Sequence, residues 1–425
     1  MIQISINKMS EKPLRILMPS YRSHPFTGGQ GIYMRLVTKA MVELGHKVEV
    51  ISGQPYPILD EGVKLTKLPS LDLYSYENPL KAFKFKLLGE PIDLYEWLSH
   101  LSGGFSEPFT FGERMAVWGK KNYNRFDVVH DNQTLAYGLI KLRNMGIPVV
   151  GTIHHPITMD KRIDIKHAET LSLKILKWRW YSFLKMQIKV ARKLDPIIVV
   201  SENTRKDVVK DFKIDPKKTR KVLHGIDHKT FEPIPSIKRK KNQLITTASA
   251  DVPLKGLIYL IRAYSELLND FPDLSLVVIG KLRDGPTSKE LDKKGIKHKV
   301  KFISDLTSRQ IAELYAESTI AVSPSVYEGF GFPAGEAMSC GIPLISTNGG
   351  SLPEVVGDSG VIVPHSNPDE LQKAIKELLL SPEKRRELGE KGRNRVLEKF
   401  TWKRAAKELV DVYREAISNA DNRSK

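Results

Sequence analysis

The chain has 425 residues, of which 41% are hydrophobic and 27% charged, a composition ordinary for a water-soluble globular protein. A chain of this length is too long to fold around a single compact core, so two domains are expected. Cys340 is the only cysteine, which excludes a disulfide framework and argues against a zinc site built on cysteine pairs.

The charge balance favours an anionic partner. The chain carries 67 basic residues against 49 acidic ones, a formal net charge of +18. No apolar run approaches the ~20 residues that span a bilayer. The first twenty residues also lack the long apolar core of a signal peptide, and we expect a cytoplasmic protein.

The first half of the chain alternates short apolar runs with amphipathic stretches. The run 14–21 ends at the loop HPFTGGQG, and a helical pattern ending near Gly45 leads to the strand-like KVEVIS. This βαβ opening predicts a parallel sheet. Residues 69–111 are aromatic without a clear period and predict an irregular insertion. Further buried strands are predicted at 127–131, 148–155 and 196–201.

The second half begins after a basic stretch with two prolines, residues 227–241, which is predicted to be a linker. The final segment reads as helical, with breaks near Pro382 and Phe400. We therefore expect one domain over 13–226, a second over 242–400, and a C-terminal helix over 401–420. Strands of the second domain are predicted at 244–250, 274–280, 300–304, 319–325, 342–347 and 360–364.

Two glutamates frame a glycine-rich turn after the predicted strand 319–325. Glu328 and Glu336 enclose the segment GFGFPAG. Parallel sheets bind ligands at the carboxyl ends of their strands, and the start of the next helix offers free N–H groups to a diphosphate. Glu336, one turn inside that helix, can accept hydrogen bonds from a ribose diol, and Glu328 can bind hydroxyls beyond the phosphates. The pattern predicts a nucleotide-sugar site.

This E-x7-E spacing with its internal GFG resembles the donor-site motif of glycosyltransferase family 4, the retaining enzymes with the GT-B fold. Other matching segments are TGGQGIYMRLVTKAMVELGHKVEVI, VVGTIHH, KVLHGID, PLKGL and GGSLPEVV, so the resemblance covers nearly the whole chain. It implies two Rossmann-like, doubly wound α/β domains facing each other across a cleft. The first would bind the acceptor and the second the nucleotide-sugar donor, with the last helix crossing back to the first domain.

The resemblance also implies residue roles. Glu336 would bind the ribose, Glu328 the donor sugar, and Lys255 the leaving diphosphate. His154 would lie beside the transferred sugar, so His154, Glu328 and Lys255 are the catalytic candidates. The reaction would use a donor such as a UDP- or GDP-sugar, with retention and with neither a cofactor nor a metal. The donor-binding candidates are Gly28, Gly29, Gly31, Lys255, Glu328, Gly329, Phe330, Gly331, Phe332 and Glu336.

The sequence departs from the family in two places. Residues 249–251, SAD, stand where the family has a phosphate-binding arginine before the lysine, and Lys281 and Arg283 are candidates to supply that charge. His224 stands where asparagine is usual. The missing arginine favours a rival function, a catalytically inactive scaffold that binds sugar nucleotides. Retention of the three catalytic candidates favours an enzyme.

A basic aromatic stretch spans residues 170–194, with seven basic residues and no acidic one. This composition is typical of an interfacial membrane helix, and of a core helix with solvated lysines. In the first case the acceptor would be a lipid or lipid-linked sugar at an anionic membrane face; in the second, a soluble polysaccharide or glycoside. Nucleic acid is not an expected partner, because the donor site explains the chain better. The candidate membrane contacts are Lys174, Lys177, Trp178, Trp180, Lys185 and Lys189.

Overall fold

The computed structural model describes residues 12–25, 29–166, 168–248 and 252–423. The chain divides into two compact units. The first comprises the residues up to Val199, Arg205–Val222 and the residues from Ala405 onward; the second comprises Val200–Thr204 and Leu223–Arg404. Each unit is built on one parallel sheet.

The sheet of the first unit has seven strands in the order β3-β2-β1-β4-β5-β6-β7, and all neighbours are parallel. Five strands lie at the predicted apolar runs, because a sheet covered on both faces needs continuous apolar strands. The edge strands β3 and β7 carry the polar sequences KLTK and TRK and were not predicted. The strands are β1 Arg15–Ser20, β2 Lys47–Ser52, β3 Lys64–Lys67, β4 Val128–Asn132, β5 Val149–Ile153, β6 Ile197–Val199 and β7 Thr219–Lys221.

Helices connect these strands. In the first of them, Met34, Val37 and Met41 recur at helical spacing and are fully buried. That helix ends before Gly45, because the φ of 90° at Gly45 is incompatible with an α-helix. The helices are α1 Gly29–Glu43, α2 Pro91–Leu101, α3 Glu107–Gly119, α4 Tyr137–Asn144, α5 Thr158–Lys166, α6 Leu171–Trp180, α7 Leu184–Ala191 and α8 Glu202–Phe212.

The insertion predicted to be irregular contains α2 and the start of α3, so that prediction was wrong. Trp97 of α2 donates its indole N–H to the carbonyl of Pro79 (3.1 Å), and its ring packs on Phe83 with the centroids 4.9 Å apart. The residues that α2 buries are the polar Glu96 and Ser99, so the helix shows no apolar period directed at the core.

A buried hydrogen-bonded chain ties the C-terminal segment to the first sheet. The hydroxyl of Tyr413 lies 2.5 Å from His130 Nδ1, and His130 Nε2 lies 2.6 Å from Thr152 Oγ1. Burial lowers the pKa of His130 to about 3, so the imidazole is neutral. Tyr413 belongs to the last helix, α16 Trp402–Arg423.

The second unit has a six-stranded parallel sheet in the order β10-β9-β8-β11-β12-β13. Along β9, Leu276 and Val278 enter one apolar core and Val277 and Ile279 enter another. Helices therefore cover both faces, and the predicted doubly wound architecture is confirmed. The strands are β8 Gln243–Thr247, β9 Ser275–Ile279, β10 Val300–Ile303, β11 Ile320–Ser323, β12 Leu344–Thr347 and β13 Val361–Val363.

In this unit the helix after the glycine-rich turn and the helical final segment, with its breaks near Pro382 and Phe400, lie where they were predicted. Residues 223–242 contain no helix. Their backbone is tied to the rest of the unit by hydrogen bonds from the Ile226 N–H to the carbonyl of Phe400 and from the Lys240 N–H to the carbonyl of Glu317, each at 2.7 Å. The helices are α9 Leu257–Asp270, α10 Pro286–Lys294, α11 Ser308–Glu317, α12 Phe332–Ser339, α13 Leu352–Val356, α14 Pro368–Leu380 and α15 Pro382–Lys399.

Candidate functional site

Each sheet has a point where its strand order reverses, between β1 and β4 in the first unit and between β8 and β11 in the second. Loops leaving the two central strands diverge at such a point and open a crevice at the carboxyl ends, where α/β proteins bind ligands. Lys255 and Glu328 fall at this point in the second unit, and His154 follows β5, the strand beside β4, in the first.

In the second unit, Lys255 and Glu328 meet where β8 and β11 end. Lys255 Nζ donates to Glu328 Oε1 at 2.7 Å, and Ser325 Oγ donates to the same oxygen at 2.8 Å. Both members of the ion pair are only partly buried. A cation and an acceptor carboxylate thus stand side by side within reach of a ligand. A bound donor can contact both side chains if it breaks the ion pair between Lys255 and Glu328.

The Gly349-Gly350 turn holds the Glu328 loop in place. Gly350 has a φ of 61°, and a Cβ there would lie 2.2 Å from the carbonyl oxygen of Glu328. The amide and hydroxyl of Ser351 both donate to that same carbonyl at 3.0 Å. Glycine is required because the backbones approach too closely for any side chain. The segment GGSLPEVV therefore positions Glu328.

Glu336 lies one turn inside α12, on a helix preceded by Gly331 and started by Pro333. Its carboxyl is partly buried. Burial, with a smaller contribution from the nearby Asp227 carboxylate, raises the pKa of Glu336 to about 7. The group therefore changes charge within the physiological range.

The aromatic residues of the turn pack inward. The ring of Phe330 is buried 5.8 Å from that of Phe400, and the ring of Phe332 stacks on His224 at 5.4 Å with an interplanar angle of 7°. The carbonyl of Gly329 accepts from Ser201 Oγ and Thr204 Oγ1, each at 3.2 Å. These residues fix the shape of the turn, so His224 has a packing role here.

The candidate phosphate ligands are exposed. Lys281 Nζ pairs with Asp305 Oδ2 at 2.9 Å, and Arg283 is also solvent-exposed. Residues 249–251, where the family's arginine is missing, lie outside the described residues.

In the first unit, His154 follows β5 and joins a polar chain across three strand ends. Its Nε2 lies 2.5 Å from Asn132 Oδ1, and Asn132 Nδ2 donates to Ser20 Oγ at 3.1 Å. The ring also packs edge-on against Tyr33, with the centroids 4.6 Å apart. Because the Asn132 amide is oriented by Ser20, its oxygen accepts from His154 and places the proton on Nε2.

Burial, assisted by the neighbouring His155, lowers the pKa of His154 to about 3. His154 is therefore a neutral imidazole at physiological pH, able to orient a hydroxyl but carrying no positive charge. His155 instead pairs with Asp160. The two adjacent histidines therefore have different surroundings.

The glycine-rich loop of the first unit is only partly described. Gly28 lies outside the described residues, and Gly29 is the first residue of α1. A Cβ on Gly31 would lie 2.1 Å from the carbonyl oxygen of His24, so this glycine permits close packing of α1 on the preceding loop.

The predicted membrane helix is divided in two. A 3₁₀ turn at Tyr181–Phe183 separates α6 from α7, so the lysines of 170–194 do not form one stripe. Trp180 is stacked on Phe105 at 4.8 Å, while Trp178 is exposed. Lys174 and Lys177 lie on α6, and Lys185 and Lys189 lie exposed on α7.

Sequence reasoning missed Asn132, Ser20 and Ser325. Each stands at or just after a strand of the central pairs, so the rule that ligands gather at carboxyl ends could have found them. It also missed a charge pair just after β1. Arg22 Nη1 lies 3.4 Å from the buried Glu107 Oε2, and its guanidinium lies over the ring of Tyr74 at 5.7 Å. Burial raises the pKa of Glu107 to about 7.

The described residues contain neither a candidate metal cluster nor a candidate membrane-spanning helix. No three or more His, Cys, Asp or Glu side chains there are grouped so that they could hold a metal ion. None of the helices in the same ranges combines the length and apolar character needed to cross a bilayer.

Two doubly wound parallel units, each with polar side chains at the carboxyl ends of its central strands, define the GT-B class of glycosyltransferases. Solved structures share this fold. Sucrose-phosphate synthase from Thermosynechococcus elongatus matches with a TM-score of 0.72 and 20% identity, covering 96% of this chain and 100% of that one. Anabaena HepE in complex with UDP matches with a TM-score of 0.67 and 15% identity, over 96% and 100%.

Sequence comparison identifies the family. The family model for glycosyl transferases group 1 matches residues 229–395, and that for glycosyltransferase family 4 matches residues 27–230. The chain is 42% identical to MMP alpha-(1->4)-mannosyltransferase of Mycolicibacterium hassiacum, over 95% of this chain and 99% of that one. The chain belongs to glycosyltransferase family 4. The predicted family, fold and enzyme class are confirmed.

Proposed function

We propose that this protein transfers a hexosyl group, with mannose as the first candidate, from a nucleotide-diphosphate sugar to an acceptor hydroxyl with retention of configuration. The observation that carries the proposal is the group formed by Lys255, Glu328 and Ser325 at the reversal point of the second sheet. It offers a carboxylate for sugar hydroxyls and a cation for a diphosphate. Glu336 supplies an acceptor for the ribose diol.

The names of the relatives support mannose and a nucleotide donor. The 42% identical relative is an alpha-(1->4)-mannosyltransferase. The HepE structure contains UDP, which carries the same diphosphate and ribose that this site is proposed to bind. Because common nucleotide mannose donors are α-linked, an α product has the configuration of the donor, which is retention.

The proposed reaction breaks the bond between the sugar's anomeric carbon and the diphosphate oxygen, and the electron pair leaves on the diphosphate. The acceptor oxygen attacks the anomeric carbon from the same face, and its proton passes to the leaving diphosphate. Negative charge grows on the diphosphate as the bond breaks, so a waiting Lys255 stabilises the transition state more than the ground state. Glu328 orients the sugar, and the neutral His154 orients a hydroxyl beside it.

Two kinds of acceptor remain candidates. A lipid or lipid-linked sugar at the cytoplasmic membrane face agrees with the net charge of +18. A soluble glycan agrees with the alpha-(1->4) linkage in the name of the 42% identical relative, because such a linkage ends on the 4-hydroxyl of a sugar. The pair of Arg22 and Tyr74 suits the second, because an aromatic face and a charge-compensated guanidinium can bind a neutral sugar.

A donor screen tests the proposal. The purified protein is incubated with UDP-, GDP-, ADP- and dTDP-sugars and with simple mannosides, with and without EDTA, and released nucleotide is measured. We expect release with one donor, undiminished by EDTA and lost in Glu336→Ala. Glu313→Ala, at a partly exposed position on α11, is the matched control.

Absence of release and of donor binding with every sugar nucleotide would contradict the proposal. Donor binding without turnover would instead support the inactive scaffold. The anomeric configuration of any product, read by NMR coupling constants, tests retention, and a product of inverted configuration would refute that part.

A further inference from the structure

Exposed apolar side chains are concentrated in two segments of the first unit. Of the eighteen large apolar side chains that the described residues expose, thirteen lie in residues 74–101 and 171–178. Phe85 is 84% exposed and Leu171 is 74% exposed. Single exposed apolar residues are ordinary, but a concentration of them marks an interaction surface.

Contacts join these segments into one surface. Leu176 of α6 packs against Gly103, where a Cβ would lie 2.3 Å from its Cδ1. Arg179 Nη2, also on α6, donates to Ser102 Oγ at 2.9 Å and to Ser99 Oγ at 3.2 Å, just at the end of α2. We call the exposed apolar side chains of residues 80–101 and 171–178 the α2–α6 surface.

The two helices present this surface in different ways. On α2, Tyr95, Leu98 and Leu101 recur every three residues on an exposed face, while Glu96 and Ser99 are buried. Helix α6 buries no residue, although six of its ten residues are aliphatic or aromatic. An apolar helix left uncovered by its own protein needs another apolar phase to cover it.

The exposed charges around the surface are mostly positive, and the exposed carboxylates there are those of Glu77, Glu90 and Glu169. Lys81, Lys84, Lys86 and Lys174 are exposed, and within the described ranges none of them pairs with a carboxylate. Lys177 differs, because it pairs with Asp164 at 2.9 Å. The uncompensated lysines would attract a surface of negative charge.

We propose that the α2–α6 surface docks the protein onto an anionic phospholipid membrane. Apolar side chains such as Phe85 and Leu171 would enter the headgroup boundary while the lysines meet lipid phosphates. A second copy of the chain fits less well, since a two-fold contact places the same patch, with its lysines, against itself. The inference concerns docking alone and stands apart from the transfer reaction.

Vesicle flotation tests the proposal without turnover. The full chain is mixed with vesicles of phosphatidylcholine plus phosphatidylglycerol, or of phosphatidylcholine alone. We expect strong partition only into the anionic vesicles, weakened by salt. Phe85→Ser should lower the partition coefficient about tenfold or more. Lys84→Glu and Lys174→Glu should each lower it about fivefold or more.

Matched controls lie on the second unit. Leu380→Ser replaces a side chain that is 66% exposed on α14, and Lys289→Glu reverses an exposed charge on α10. Neither should change partition. The fluorescence of Trp178 provides a second readout, with a blue shift on anionic vesicles that Trp178→Phe removes.

Failure to partition into anionic vesicles would overturn the proposal, as would equal losses in the control variants. A concentration-dependent dimer that Phe85→Ser dissociates would assign the surface to a second copy instead. Nucleotide release by the same variants in free solution reports separately on the transferase, so the two proposals fail independently.

Discussion

At the scale of single residues, the carboxyl of Glu336 is expected to make donor binding depend on pH. Its pKa is raised from 4.5 to about 7, mainly by burial. Ribose hydroxyls donate to the ionised carboxylate, so affinity should be full above pH 7. It should weaken by up to about tenfold per pH unit below pH 7, as the protonated form takes over.

Calorimetric titration of the donor between pH 5.5 and 8.5 measures this effect. Asp227→Asn removes a neighbouring negative charge and should move the midpoint to lower pH, whereas Glu313→Gln should leave it in place. A donor affinity independent of pH in the wild-type protein would show that Glu336 is not the ribose ligand.

Asn132 is a positioning residue for His154. Replacement by alanine removes the acceptor of the His154 Nε2 proton and the donor to Ser20 Oγ. We expect kcat to fall about 10- to 100-fold with little change in donor KM, because a misoriented neighbour of the reacting sugar slows the chemical step.

Steady-state kinetics of Asn132→Ala beside Asn144→Ala, an exposed position at the end of α4, test this role. A loss confined to KM would place Asn132 in donor binding. Unchanged kinetics would remove the chain from His154 to Ser20 from the mechanism.

At the scale of elements, the turn between β12 and α13 is expected to link stability to catalysis. In Gly350→Ala the new Cβ meets the Glu328 carbonyl at a positive φ. Gly295→Ala is the matched control, because Gly295 has a similar φ of 65° and no atom within 4 Å of an added Cβ. The control should cost about 1 kcal/mol from backbone strain alone.

Gly350→Ala should cost about 1–3 kcal/mol more than the control, since its neighbours must move. It should also lower kcat/KM, because the displaced neighbour carries Glu328. Urea unfolding and donor turnover measure the two effects. Equal unfolding free energies for the two variants would contradict the steric explanation.

Some secondary-structure elements could be predicted from the sequence and others could not. Strands such as β5 and β11 were predictable because both of their faces are buried and apolar residues fill them. Edge strand β3 has one polar face and gives no such pattern. Helix α2 was missed because the residues it buries, Glu96 and Ser99, are polar and give no apolar period.

The candidate site also has parts that the sequence predicts and parts that it does not. The sequence correctly predicted that Glu328 follows a strand and that Glu336 lies one turn inside the next helix, since this arrangement is local. The contact of Lys255 with Glu328 joins positions 73 residues apart, and that of Asn132 with His154 joins positions 22 apart. Such contacts depend on strand order, which no local pattern contains. The sequence also could not show that the rings of Phe330 and Phe332 point into packing.

At the scale of the whole molecule, acid is expected to act differently on the two units. In the first unit the pKa values of His130 and His154 are lowered from 6.5 to about 3 by burial. The unfolded chain binds these protons below pH 6.5 and the folded chain does not. Each histidine therefore removes about 1.4 kcal/mol of stability per pH unit from pH 6.5 down to about 3.

Buried carboxyls oppose this loss, but over a different range. The pKa values of Glu107 and Asp131 in the first unit are raised to about 7. The folded state binds their protons first, so they add stability as the pH falls from 7 to the ordinary carboxyl range near 4. Below that range their contribution is constant while the histidines continue to destabilise. In the second unit the raised pKa of Glu336 adds stability over the same range.

We therefore expect the first unit to lose structure before the second between about pH 4 and pH 3. Pulsed hydrogen exchange with mass spectrometry reads the units separately, through β4 and β5 in one and β9 and β11 in the other. The double replacement His130→Gln, His154→Gln removes both titrating groups and should flatten the acid dependence of the first unit, whatever its constant cost in stability. Earlier loss of protection in β9 and β11, or an unchanged slope in the double variant, would show that other groups control acid unfolding.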